Sequence, residues 1–205
     1  MPIALAAFLT LAQACAPSVA PVTLGSVVRI ESGFDPLVIG INSPRRERVT
    51  PKSTAEAVST AERLIAAGDS IDLGLGQINS RNLAWLGLSV AESFDPCRNL
   101  AAAARVLKAD FDRAGRTPGD EQTALRTALS YYNTGDAGRG FRNGYVAKVT
   151  AAANQIVPAL STVADAAVPA APSPEPPPAA WDVFARPSTP TAGFVFAART
   201  EDDAR

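Results

Sequence analysis

Proline is spread unevenly along this chain, and that limits how much of it can fold into packed structure. Of 17 prolines, nine lie between Pro158 and Arg205, including the run PSPEPPP at Pro172–Pro178. Proline donates no backbone hydrogen bond and favours extended polyproline geometry. The alanine and serine around it offer little surface to bury, so residues 158–205 read as a disordered Pro/Ala-rich tail. Two aromatic islands, WDVF at Trp181–Phe184 and GFVF at Gly193–Phe196, are either docking anchors for a partner or incidental apolar residues. Packed structure is thereby confined to what precedes Val157, enough chain for one domain with its own core.

Within that stretch, start and stop signals mark out helices. Val22–Glu31 suits a helix, with Gly33 as its stop. STAE at Ser53–Glu56 is a capping box opening a helix that runs to about Ala67 and ends at Gly68. Asp95 and Pro96 open a helix ended by Gly115. Thr117 and Pro118 open another, which runs through EQTALRTALSYYN to Gly135, and a last helix covers about Tyr145–Ile156. Ile71–Ser80 is short, apolar and rich in glycine, which predicts a turn or small hairpin. The expected fold is mainly α, with one small irregular β region.

The N-terminus has two readings. The apolar stretch Ile3–Leu11 has the length of a signal-peptide core, and Ala12–Ala14 (AQA) resembles a cleavage site, but no Lys or Arg precedes it. Residues 1–14 are therefore either a weak leader or a first core helix. They are too few to span a bilayer as a helix.

Composition excludes several chemistries. The chain has no histidine, which removes serine–histidine and cysteine–histidine catalysis and histidine-ligated metals. Two cysteines, Cys15 and Cys97, are too few for structural zinc; they are a disulfide or two buried thiols. A bridge would close a loop of roughly 80 residues, contribute about 4–5 kcal/mol in the chain-entropy model and imply an oxidising compartment. No metal and no cofactor is called for. A formal net charge of −1 gives no reason to expect nucleic acid. PRRER at Pro44–Arg48 reads as a solvated loop.

Three motifs carry chemistry. Glu31 in VVRIESGF falls near the negative end of a helix dipole with Val27, Val28 and Ile30 beside it, and both surroundings raise a carboxyl pKa. An acid still protonated near neutral pH can act as a general acid. In DLGLGQINS, Gly74 and Gly76 leave the backbone open to close approach, while Gln77 and Asn79 offer neutral donors and acceptors. In ALSYYNTGD, Tyr131, Tyr132 and Asn133 close a helix with groups that can hydrogen-bond or stack on a sugar.

In order, these read E-S-G-F, G-L-G-Q-I-N and Y-Y-N-T-G. The set resembles the lysozyme-like lytic transglycosylases of goose-type or soluble lytic transglycosylase fold. LAQACAPSVAP, ESGFDPLVIG, SIDLGLGQIN and FDPCRNL further resemble the VirB-type transglycosylases of type IV secretion and conjugation machines. The resemblance covers roughly Leu9–Ile156. It implies Glu31 as the sole catalytic acid/base and Ser32 beside it in the cleft. It also implies that Gln77, Ile78 and Asn79 contact the glycan, and that Tyr132 and Asn133 form the Y-N pair, with Tyr132 hydrogen-bonding Glu31. Tyr131 stands where many relatives have alanine, so its role is open. The resemblance further implies a Cys15–Cys97 disulfide, a catalytic domain over 15–157, a periplasmic location and peptidoglycan as substrate. Its partners would be secretion components, with the tail as a route to them.

Two other functions remain in view. One is a lysozyme-type hydrolase using Asp72 or Asp35, the only acids near the motifs, as a second carboxylate, although neither is expected to be essential. The other is a non-catalytic scaffold that works through its tail. An intact motif set counts against the scaffold.

Overall fold

The computed structural model describes residues 1–42, 47–115 and 120–167, with side-chain surroundings as far as Val157. Residues 168–205, with the tail's proline run and both aromatic islands, lie outside the described residues, as do Thr117 and Pro118.

The N-terminal stretch forms helix α1 (Leu5–Cys15), which buries Phe8, Leu9 and Ala12 completely or nearly so. Cleavage after Ala14 would remove all three from the core. Helix α2 (Pro21–Glu31) starts with proline at its first turn, where a missing N–H leaves nothing unpaired. It buries Leu24, Val27 and Val28 at helical spacing. Gly25 on α2 faces inward, where a β-carbon would lie 3.1 Å from the Phe8 ring and 3.3 Å from Ile156, so α1 and the last helix pack directly on its backbone. The chain leaves α2 through two left-handed residues, Gly33 and Phe34, at φ 60° and 67°. Stacking edge-on against Phe8, with ring centroids 4.9 Å apart, holds Phe34 in that unfavourable conformation.

A four-stranded antiparallel sheet follows, in the order β2-β1-β3-β4. Its strands are β1 (Ile39–Ile41), β2 (Glu47–Val49), β3 (Ile71–Leu73) and β4 (Ile78–Asn79). Helix α3 (Thr54–Ala66) interrupts them; the Ser53 hydroxyl accepts from Glu56 N as the capping box predicts, but the Glu56 carboxylate reaches Lys52 N. The expected hairpin at 71–80 is therefore only half of the sheet. Glu47 and Arg48, read from sequence as a solvated loop, belong to β2, because their backbone pairs with Ile41 and Gly40 while their side chains stay exposed.

After the short helix α4 (Leu83–Leu86) comes α5 (Pro96–Ala114), opened by Asp95, whose carboxylate accepts from Arg98 N at 2.8 Å. Its buried face carries Leu100, Ala102, Ala103 and Ala104, small enough for the helix to touch α1, α2 and β4 as well as α6 (Glu121–Thr134). Helix α7 (Arg139–Arg142) is a single turn. Helix α8 (Tyr145–Ala167) runs past Val157, the boundary expected for the domain. Pro158 removes one hydrogen bond, but the alanine-rich sequence on both sides favours helix.

Cys15 and Cys97 form a disulfide with Cα atoms 5.2 Å apart, tying the end of α1 to the first turn of α5 across 82 residues of sequence. Replacing both cysteines with alanine should lower stability by about 2–5 kcal/mol, read as a lower urea midpoint with a steeper slope, because the unfolded chain without the bridge is less compact.

Candidate active site

Glu31 is the last residue of α2, fixed there because Gly33 at φ 60° ends the helix. The side chain is half-buried, open on one side to a polar cleft. From the other side, Tyr145 at the start of α8 donates its hydroxyl to Glu31 Oε1 at 2.6 Å. Tyr145 is itself buried with Val27, Leu107 and Val149. Its amide is capped by Asn143 Oδ1, whose side-chain N–H in turn reaches Asn133 Oδ1.

Burial pushes the Glu31 pKa from 4.5 to about 7. The Tyr145 hydrogen bond opposes this, the negative charge of Asp72 reinforces it, and Arg48 opposes it least. Burial and the nearby Glu31 charge also hold Tyr145 well above 10, so its hydroxyl remains a neutral donor.

The glycine turn is built around Asn99, a fully buried residue of α5. Asn99 accepts from Gly76 N at 2.7 Å and donates to Leu73 O and Ser93 O at 2.9 and 2.7 Å. Gly74 lies at φ 70°, and a β-carbon there would fall 2.5 Å from Asn99 Nδ2. Gln77 adopts φ 50°, and its amide N–H groups are spent on Val38 O and Gly74 O. Its carbonyl oxygen lies over Gly40, where a β-carbon would come within 2.7 Å of it, and both residues line a lobe of the cleft.

The cleft is lined by Glu31, Gln77, Ile78, Asn79, Tyr132 and Asn133, so six of the seven residues expected from the motifs come together. Ser32 is buried and turns its hydroxyl back to Val28 O, outside the lining of the cleft. Asn79 does not point a free amide at the cleft, because it donates to Asp72 Oδ1 at 2.7 Å and to Ser70. Asn42 donates to the other Asp72 oxygen at 2.9 Å. Asp72 thus lines the cleft as a fixed anion, whereas Asp35 is buried and accepts from Leu37 N. Tyr132 does not hydrogen-bond Glu31, contrary to the expectation; it donates to Gly76 O at 2.7 Å and steadies the glycine turn. The partner of Glu31 is Tyr145, whose sequence signal is only a tyrosine following Asn143–Gly144 at a helix start. Tyr131 lies outside the cleft, beneath the Arg113 guanidinium at 4.0 Å.

Residues 8–154 match the model of the Transglycosylase SLT domain. The chain belongs to this family. Its SLT domain covers every residue of the cleft. The chain is 44% identical over 160 residues to "Protein virB1" of Agrobacterium fabrum, covering 78% of this chain and 64% of that protein. It is 42% identical over 172 residues to "Type IV secretion system protein virB1" of Brucella suis biovar 1, covering 78% and 72%. It thus spans just under two thirds of the Agrobacterium protein. No solved structure matches it.

The raised pKa has a consequence for the SLT domain's stability. Below pH 4.5 Glu31 is protonated whether the chain is folded or not. As pH rises from 4.5 to about 7 the unfolded chain releases this proton first, so stability falls, and above 7 the loss is complete. A difference of that size is worth about 3 kcal/mol. Glu31→Gln, which cannot ionise, should therefore exceed the wild type in urea stability by about 2–3 kcal/mol at pH 8 and by less than about 1 kcal/mol at pH 4.5. An equal difference at both pH values would contradict burial as the cause.

Proposed function

We propose that this protein is a peptidoglycan lytic transglycosylase, with Glu31 as its single acid/base, that locally opens the cell wall for a type IV secretion or conjugation machine in the periplasm. One observation carries the reading: a half-buried carboxyl with a pKa near 7, held by a tyrosine hydroxyl at the wall of a polar cleft. Membership of the SLT family supports the chemistry, and the secretion-system name of the Brucella relative supports the setting. Among the described residues no helix is long and apolar enough to cross a membrane.

A carboxyl with this pKa can give and take a proton at neutral pH. Protonated Glu31 donates to the glycosidic oxygen linking N-acetylmuramic acid to N-acetylglucosamine, and the bond to the muramic C1 breaks. The resulting Glu31 carboxylate then accepts the proton of the 6-hydroxyl on the same muramic residue, and that oxygen closes on C1 as a 1,6-anhydro ring. Glu31 ends as it began, and no water is consumed. Because the attack is intramolecular, proximity supplies much of the acceleration. Tyr145 holds the reacting carboxyl in place through its hydrogen bond, and the Gln77 carbonyl oxygen is placed to accept from a sugar hydroxyl or amide.

The lysozyme-type alternative needs a second carboxylate to activate water or attack the sugar. Asp72 is in the cleft, but both of its oxygens accept from asparagine amides, which makes it a fixed charge tuning Glu31. Digesting purified peptidoglycan and identifying products by mass spectrometry separates the two. The wild type should release anhydromuropeptides, and Glu31→Gln should lose about a hundredfold or more of turnover. Asp72→Asn should keep the anhydro products and shift the alkaline limb of the pH profile downward, since the charge that raises the Glu31 pKa is gone. Tyr145→Phe should shift it upward, since its hydrogen bond lowers that pKa. Reducing-end products, abolished in a folded Asp72→Asn variant, would establish the hydrolase.

We propose that the tail, through its aromatic islands at Trp181–Phe184 and Gly193–Phe196, docks on secretion components. Deleting residues 172–205 should leave wall cleavage intact while impairing secretion or pilus assembly; normal assembly after the deletion would remove this role.

A further inference from the structure

Beyond Glu31, on the Tyr145 side, the cleft opens into a lobe with a different charge from the rest of the site. Its walls include Arg48 from β2, Lys148 from α8, and the hydrogen-bonded pair Asn133 and Asn143. Lys148 lies three residues after Tyr145, so it shares the helix face that already points at Glu31. Glu31, Arg48 and Lys148 are the only charged residues among the described lining of this lobe. Among the described residues, neither cation forms a salt bridge. Glu31 supplies no counter-charge while protonated; Arg48 also lines the neighbouring lobe that holds Glu47 and Asp72, whereas Lys148 does not. Two cations therefore meet in a concave site beside the reacting carboxyl. An N-acetylglucosamine ring, which is uncharged, would offer neither cation a counter-charge.

We infer that the Arg48–Lys148 lobe is a subsite for a carboxylate carried on the lactyl arm of the muramic residue at the cleavage point. This rests on the transglycosylase reading and adds a specificity to it. The shared chemistry is a carboxylate near the scissile bond, which has two sources. A muramic residue without peptide exposes the lactyl carboxylate itself, and one with peptide presents the acidic groups of the stem.

Binding to the full chain carrying Glu31→Gln, which halts turnover, tests the subsite. Three oligosaccharides of equal length serve as probes: one of N-acetylglucosamine alone, one containing muramic acid with a free lactyl group, and the same one bearing its stem peptide. Added in that background, Lys148→Gln and Arg48→Gln should each weaken binding of a carboxylate-bearing probe by about threefold to tenfold and leave the uncharged probe unchanged. The advantage of the carboxylate probes should shrink as salt rises. Sensitivity of the free-lactyl probe identifies the lactyl carboxylate; sensitivity of the peptide-bearing probe alone identifies the stem. Equal weakening of all three probes, or of none, in variants with wild-type unfolding midpoints overturns the subsite. Anhydro-product formation by the unmutated chain is read separately. Selective binding without such products would leave the carboxylate subsite standing and remove the transglycosylase, and products with unselective binding would do the reverse.

Discussion

Removing the Glu31 carboxyl from water is the constraint around which this domain is arranged. An acid can stay protonated near neutral pH only if ionisation is made costly, and here burial supplies most of that cost. The burial comes from packing the end of α2 against the start of α8, over a cluster that includes Val27, Leu107, Tyr145 and Val149. The Tyr145 hydroxyl then offers the carboxyl one partner, 2.6 Å away, without a full charge. That combination leaves the group held in place and able to titrate near pH 7.

The opposite wall of the cleft solves a separate problem. A glycine turn exposes backbone groups that would otherwise be unpaired, and Asn99 and Tyr132 satisfy them from two helices. Gly74 and Gly76 leave the space for those side chains, because a β-carbon on either would collide with Asn99 or Ala103. Charge varies along the cleft as well: Asp72 is pinned between two asparagines, Lys148 lies on the Tyr145 side of Glu31, and Arg48 lines the lobes of both.

The elements legible in the sequence are those whose causes are local. Helix caps at Ser53 and Asp95 and the stop at Gly33 stand as the sequence analysis expects, whereas the Cys15–Cys97 bridge, which spans 82 residues, was expected only from the resemblance. Strands β1 and β2 were not legible, because three-residue strands carry almost no periodicity and exist only through pairing. Pro158 looked like a boundary, yet helix α8 continues to Ala167.

By itself, the sequence determined that a glutamate would end a helix, that a glycine turn would carry an amide, and that the chemistry must proceed without histidine. Each of these depends on residue type and short-range backbone preference. Tertiary structure alone decided which groups surround the carboxyl. Tyr145, 114 residues from Glu31, takes the contact expected of Tyr132, which turns instead to Gly76 across 56 residues. Asp72 becomes a fixed charge only when Asn42 arrives from 30 residues away. Pairings at such separations follow from how helices and strands pack, and no local pattern records them.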